Sequence, residues 1–73
     1  MITYEQAKKL ALRYEKDANT ALDYGNAYFF YDKNRRTYDD PGIVVMKDNA
    51  EIMSFSEYVL TKDIHKKPVQ IPF

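Results

Sequence analysis

The chain has 73 residues, no cysteine, and 11 lysine and arginine residues that balance 11 aspartate and glutamate residues, for a formal net charge of zero. This length allows one domain, and the absence of thiols excludes disulfides and thiolate metal sites. The balanced charge argues against a nucleic-acid-binding surface, which needs an excess of cations.

The first residues have neither the basic end nor the apolar run of a signal peptide. No apolar stretch approaches the length needed to cross a bilayer. We therefore expect a cytoplasmic protein that makes no membrane contact. Aromatic residues make up 15% of the chain, and this share indicates a folded domain rather than a disordered segment.

The first predicted element is an amphipathic helix from about Tyr4 to Ala18, ending near Asn19. Thr3 and Gln6 have the spacing of a capping box, in which each side chain accepts a hydrogen bond from the other residue's main chain. Apolar residues then recur at helical spacing, at Ala7, Leu10, Ala11, Tyr14 and Ala18.

An extended region follows from Ala21 to Asp32 and contains the aromatic run Tyr28–Tyr31, which has a high strand preference. Gly25-Asn26 is either a two-residue hairpin turn or a bulge within one long strand. Apolar residues occupy both the odd and the even positions of this run, so apolar side chains point to both faces of the sheet. Either both faces are covered within the chain or one face meets a partner.

Two more strands are predicted after a polar loop over Asn34–Gly42. Asp40-Pro41-Gly42 has the composition of a turn. Ile43–Met46 is the clearest strand of the sequence, and Lys47–Ala50 turns the chain into a further strand at about Glu51–Phe55.

A short helix is predicted over about Phe55 to Leu60, because Ser54 and Glu57 repeat the spacing of a capping box. This helix buries Phe55, Tyr58 or Val59.

Residues 63–73 form a C-terminal tail in which apolar residues alternate as in a strand, at Val69, Ile71 and Phe73. Pro68 and Pro72 restrict such a strand to a sheet edge. The tail is therefore an edge strand, a segment laid over the sheet, or a frayed end, and a homodimer through the tail is a further candidate arrangement.

Together the elements predict a single α+β domain over residues 1–73, with a core over 1–62 and the tail over 63–73. The N-terminal helix packs on a small antiparallel sheet of three to four strands, followed by the short C-terminal helix and the tail. The predicted core residues are Leu10, Tyr14, Leu22, Phe29, Ile43, Val45, Ile52, Phe55 and Val59.

No catalytic or metal-binding constellation is legible in the sequence. His65 has no second histidine or cysteine to act with. Asp39 and Asp40 stand next to a Pro-Gly pair and are explained by turn formation. Ser54 is explained by helix capping, and the two glycines are too far apart for a phosphate loop. We therefore expect no enzymatic activity, no metal and no cofactor.

Tyrosine is unusually frequent, with seven in the chain, and four of them lie in or beside the aromatic strand. Tyrosine offers a large amphipathic contact area and is favoured at protein interfaces. We predict that this strand and the following charged loop form one partner-binding surface, made of Tyr24, Tyr28, Tyr31, Arg35, Arg36, Tyr38, Asp39 and Asp40. The alternatives are half-buried core tyrosines, or a sheet that stacks bases on Tyr28 and Tyr31 with arginines on the phosphates.

Four stretches carry a family resemblance: Met1–Ala7, Asp23–Tyr31, Pro41–Lys47 and Phe55–Val59. In this order they resemble the opening helix, the Gly-Trp-aromatic strand, the proline-led strand and the closing glutamate–tyrosine helix of the immunity protein 35 family of bacterial polymorphic-toxin systems. Asn26 stands where that family usually has a tryptophan.

The resemblance implies a non-enzymatic protein that neutralises a cognate toxin by binding it, either by occluding its active site or by locking its fold. Two other functions remain as alternatives. One is a phage or mobile-element inhibitor of a host defence protein, and the other is a nucleic-acid-binding sheet.

Overall fold

The computed structural model describes residues 1–34, 42–61 and 67–73. In chain order the elements are α1 (Tyr4–Tyr14), β1 (Thr20–Asp23), β2 (Ala27–Tyr31), β3 (Ile43–Met46), β4 (Ile52–Ser54), α2 (Phe55–Thr61) and β5 (Val69–Ile71). The predicted α+β class and the helix-first order are confirmed. Within the described ranges the sheet has five strands rather than three to four, because the tail contributes β5.

The strands lie in the order β4-β3-β2-β1-β5, and every neighbouring pair is antiparallel. Strand β2 is central, with Phe29 opposite Leu22 of β1 and opposite Val44 of β3. Helix α1 packs on one face of the sheet and α2 on the other. No helix in the described ranges is both long and apolar enough to cross a membrane.

Helix α1 begins at the predicted capping box. The Gln6 amide donates to Thr3 Oγ1 at 3.2 Å, and the Thr3 amide donates to Gln6 Oε1 at 3.0 Å. The helix ends at Tyr14, four residues before the predicted end at Ala18. The reason is a turn in which the Ala18 amide donates to the Glu15 carbonyl at 3.1 Å, which leads the chain back into β1.

Gly25-Asn26 is a hairpin turn and not a bulge. The Tyr24 amide donates to the Ala27 carbonyl at 2.9 Å, which closes the hairpin between β1 and β2. Gly25 has a φ of 93°, a conformation that costs glycine little. The Asp23 side chain stabilises the turn by accepting from the Gly25 amide at 2.7 Å.

The layer between α1 and the sheet is built largely from small residues. Its buried members are Ala7, Ala11, Ala18, Ala21, Phe30 and Val45. Because alanine side chains are short, α1 lies close to the sheet, and among the described residues Phe30 is the one large ring fully enclosed there. Larger residues of α1, such as Leu10, are only half-buried around this centre.

The predicted core is partly wrong. Phe29 and Val45 are buried as expected, but Tyr14 is 67% exposed and Val59 is 45% exposed. Tyr14 is the last residue of α1. In α2, Tyr58 takes the inward position, and Val59 lies about 100° further around the helix. The remaining predicted core residues are half-buried: Leu10, Leu22, Ile43, Ile52 and Phe55.

Lys47 joins three segments at one end of the sheet. Its carbonyl accepts from the Ile2 amide at 2.9 Å, and its amide donates to the Asn26 carbonyl at 3.0 Å. Its ammonium lies 2.9 Å from Asp23 Oδ1 and 4.6 Å from the centre of the Tyr28 ring. The start of the chain, the β1–β2 hairpin and the end of β3 are thus held together there.

Phe30→Ala tests the core assignment, with Val59→Ala as its control. Removing the enclosed Phe30 ring should lower the free energy of unfolding by about 3–5 kcal/mol, which is comparable to the whole margin of about 3–5 kcal/mol expected for so small a core. Val59→Ala should change it by less than about 0.5 kcal/mol. Urea denaturation followed by circular dichroism measures both, and equal midpoints for the two variants would contradict the assignment.

Substitutions at Gly42 and Ala50 should change the free energy of unfolding in opposite directions. A Cβ at Gly42 would lie 2.3 Å from the Phe30 carbonyl oxygen, so Gly42→Ala should cost about 1–3 kcal/mol. Ala50 has a φ of 60°, a conformation that costs a non-glycine residue about 1–2 kcal/mol. Ala50→Gly should therefore gain about 0.5–1 kcal/mol after the added entropy of the unfolded chain is subtracted. Urea denaturation of each variant shows whether its free energy of unfolding falls or rises.

Candidate protein-binding face

Strand β2 distributes its aromatic side chains between the two sheet faces. Phe29 and Tyr31 lie on the α2 side, whereas Tyr28 and Phe30 lie on the α1 side, as the two-residue period of a strand requires. Tyr24 packs on the α2 side as well. The prediction that Tyr24, Tyr28 and Tyr31 share one surface is therefore wrong for Tyr28.

We define the aromatic face as five rings on the α2 side of the sheet: Tyr24, Phe29, Tyr31, Phe55 and Tyr58. Phe29 is at their centre, with its ring 4.6 Å from that of Phe55 and 5.0 Å from that of Tyr31. The Phe29 and Tyr31 rings are stacked at an interplanar angle of 14°. The Tyr24 ring closes the group from the hairpin side, 5.6 Å from Tyr58 and 6.0 Å from Phe55.

Burial divides the aromatic face into a fixed centre and a half-exposed margin. Phe29 is 6% exposed and Tyr58 is fully buried, whereas Tyr24, Tyr31 and Phe55 are half-buried. The margin rings therefore rest on an ordered apolar base while part of each reaches solvent. Rings held in this way lose little conformational freedom when a partner covers them.

The Tyr58 hydroxyl donates a hydrogen bond to Asn26 Oδ1, which ties α2 to the hairpin turn. Burial raises the pKa of Tyr58 above its usual value, and neighbouring Tyr24 adds to this. The phenol is thus neutral at physiological pH and available as a donor. Asn26, which departs from the resembled family's tryptophan, is the acceptor that satisfies it.

Helix α2 presents two aliphatic side chains to solvent. Val59 is 45% exposed and Leu60 is 84% exposed. Val59 lies one turn after Phe55, so it shares the Phe55 side of the helix, and the aromatic margin continues along that side as an exposed apolar strip. Leu60 lies about 200° around the helix from the buried Tyr58, so it is outside this strip and points away from the sheet.

Tyr28 belongs to the packing between α1 and the sheet. Its ring makes an edge contact with Tyr4 at 5.4 Å between centroids and lies beneath the Lys47 ammonium. These contacts assign Tyr28 a structural role, and they remove it from the surface that holds Tyr24 and Tyr31.

The other predicted binding residues, Arg35, Arg36, Tyr38, Asp39 and Asp40, lie outside the described residues, as does His65. Their assignment to the same surface stays a prediction. Of the eight predicted binding residues, the structure brings Tyr24 and Tyr31 together and separates Tyr28 from them.

The described residues lack a metal-ligating cluster and include three phenols with raised pKa values. They contain no group of three or more histidine, cysteine, aspartate or glutamate side chains that could hold a metal ion. Burial raises the pKa of Tyr4 and Tyr24, as it does for Tyr58, so these phenols stay protonated at neutral pH. An activated phenolate would need the opposite shift in pKa.

No protein-family model, no curated protein and no solved structure matches this chain. The resemblance to the immunity protein 35 family accordingly stays a prediction that rests on the four stretches quoted above.

Sequence reasoning placed Phe55 and Tyr58 among core candidates and did not assign them to the binding face. Their spacing of three residues on one helix was the available signal, because it puts both rings on the same side of α2.

The buried phenols predict a loss of stability at alkaline pH. The unfolded chain releases tyrosine protons near pH 10, whereas the native state retains them to higher pH because its pKa values are raised. The unfolded state then binds fewer protons, so the free energy of unfolding falls as pH rises above about 10. This stability is fully present below that pH.

Tyr58→Phe isolates one contribution to this alkaline loss. At pH 7 the variant should lose about 0.5–1.5 kcal/mol with its hydrogen bond to Asn26. Above about pH 10 the gap between parent and variant should narrow, since phenylalanine has no proton to lose. Denaturation curves at both pH values measure the gap, and a constant gap would show that Tyr58 does not titrate differently in the two states.

Proposed function

We propose that this domain binds another protein through the aromatic face and the adjoining strip of α2. We propose further that it acts in the bacterial cytoplasm as an immunity protein, neutralising a toxin by direct binding and without catalysis. The observation that carries the proposal is the half-exposed aromatic margin beside the exposed Val59. The ordered family resemblance adds the toxin as the kind of partner.

The chemistry of this surface is that of a protein interface. Interface centres are enriched in tyrosine and other aromatic residues, with polar residues at the rim, and a few well-packed anchors carry most of the binding energy. Tyr31, stacked on the buried Phe29, has the rigidity of such an anchor. Val59, 45% exposed, supplies an aliphatic side chain whose burial by a partner is favourable.

Neutralisation by this surface requires only that it cover the toxin's active site or hold the toxin in an inactive fold. Rim charges such as Glu57, which is exposed on α2, would influence the association rate and the choice of partner more than the affinity. The charged loop at 35–40 would act in the same way if it borders the aromatic face. A phage-encoded inhibitor would use the same surface on a host defence protein.

A nucleic-acid partner receives less support from the described residues. Tyr28, one of the two tyrosines expected to stack bases, faces α1 instead. The ammonium groups of Lys8 and Lys47 contact aromatic rings on the α1 side of the sheet, away from the aromatic face. A single-stranded ligand needs stacking rings and cations along one groove.

Val59→Asp and Tyr14→Asp form a matched pair that tests the proposed face. Both replace an exposed apolar side chain, 45% and 67% exposed respectively, so both should fold normally. Only Val59→Asp places a charge beside the aromatic face. It should weaken binding to the product of a neighbouring toxin gene by about 2 kcal/mol or more, roughly 30-fold in Kd.

Titration calorimetry with the purified domain and the purified toxin measures this loss of affinity. Survival of cells that express the toxin together with each variant measures its consequence. Equal affinity for Val59→Asp and the parent, together with a loss for Tyr14→Asp, would move the interface to α1. A neighbouring gene product that is not toxic, or that does not bind, would remove the immunity function itself. Binding to single-stranded nucleic acid at low salt would favour the alternative.

A further inference from the structure

Strand β5 is attached to the sheet along one side only. It pairs with β1 in the register Ala21↔Ile71, Leu22↔Gln70 and Asp23↔Val69. Val69 is 53% exposed and Gln70 is exposed as well, and Ile71 is the half-buried member of the strand. In contrast, Ala21 on the partner strand is fully buried.

Hydrogen-bonded and non-hydrogen-bonded residue pairs alternate along an antiparallel pair of strands, and this alternation identifies which main-chain groups of β5 face outward. The bond from the Tyr24 amide to the Ala27 carbonyl fixes the alternation of bonded pairs along the hairpin. Ala21 and Asp23 therefore direct their main-chain groups away from β2 and toward Ile71 and Val69. It follows that Gln70 directs its amide and carbonyl away from β1.

The outward edge of β5 is nearly devoid of donors. Pro68 and Pro72 flank Gln70 two residues away on either side, so they have the same parity, and neither has an amide hydrogen. Prolines and short strands are devices that keep a sheet edge from pairing further. The β5 segment thus ends the sheet, whereas the β1 edge beneath it could accept a strand.

The residues after β5 seat its end on α1. The Phe73 ring makes an edge contact with Phe30 at 6.4 Å between centroids. The Lys8 ammonium lies 4.1 Å from the centre of the Phe73 ring and donates to its main-chain oxygen. The Tyr4 hydroxyl approaches the same oxygen at 3.5 Å. Since Phe73 is 38% exposed, water reaches these contacts.

We propose that residues 67–73 are an exchangeable strand and that the same segment of a second copy of this chain takes their place on β1. When the segment leaves, it uncovers two main-chain amides and two carbonyls on β1 and part of the apolar layer around Phe30. These groups need a new partner. Exchange of an identical element between two copies is a route to dimers that requires no new contact.

A second copy fits this edge because it supplies the same side chains in the same register. Ile71 would again lie opposite Ala21, and Phe73 would again lie against Phe30 and Lys8. The chain has a formal net charge of zero, so two copies approach without the net repulsion that keeps highly charged proteins apart. This surface is at the opposite sheet edge from α2, and the inference stands independently of the proposed function.

Cysteine pairing between separate chains tests the exchange. Leu22 and Gln70 form a pair without main-chain hydrogen bonds, which is the closer kind in an antiparallel ladder, and the chain has no other cysteine. A Leu22→Cys chain and a mass-tagged Gln70→Cys chain are mixed and mildly oxidised. Mass spectrometry then counts mixed dimers against a control mixture of Lys9→Cys and Gln70→Cys.

We expect about tenfold more mixed dimer than in the control, because paired strands hold the two sulfurs within disulfide reach. In the double variant Leu22→Cys/Gln70→Cys, an internal disulfide should form and abolish exchange. The proposal would be overturned if the double variant forms its internal disulfide but the Leu22→Cys and Gln70→Cys chains give no more mixed dimer than the control mixture. Sedimentation equilibrium of the unsubstituted chain gives a second, independent readout, and a monomer at every concentration would also overturn it.

Discussion

Strand β2 supplies side chains to both layers of this domain, so its register determines the packing of both layers at once. Phe30 fills the layer under α1, and its neighbour Phe29 fills the layer under α2, because successive side chains of a strand point to opposite faces. A shift of one residue in register would exchange the two rings and every contact around them. The pairing with β1 and β3 therefore fixes the helix packing and the aromatic face together.

The two layers solve the problem of a small core in different ways. Under α1, four alanines allow close approach, and one phenylalanine is enclosed. Helix α2 has only seven residues, and aromatic rings fill the layer between it and the sheet. Part of that surface remains half-exposed. Ring pairs at these distances contribute about 0.5–1.5 kcal/mol beyond the burial of their area. The less completely covered layer is the one suited to a partner.

Features set by local chemistry could be predicted from the sequence, whereas features set by pairing could not. The capping-box spacings at Thr3 and Ser54 located both helix starts, because the Gln6 and Glu57 amides donate to side-chain oxygens three residues earlier. The face of Tyr28 depends on the register of β2 between two strands, which no local pattern specifies. The tail's place at the edge of β1 depends on Asp23 pairing with Val69, and the aromatic face depends on α2 crossing above the sheet.

The order of the strands has a consequence for how the chain acquires its fold. Strands β1 to β4 pair with their immediate neighbours in sequence, so they form a meander whose connections have three, eleven and five residues. Strand β5 pairs with β1 across 46 to 50 residues of sequence, and such long-range contacts form slowly because loop-closure entropy comes first. During synthesis the edge of β1 therefore stays open until residues 67–73 emerge, so the nascent chain depends on β5 for protection against pairing with other chains.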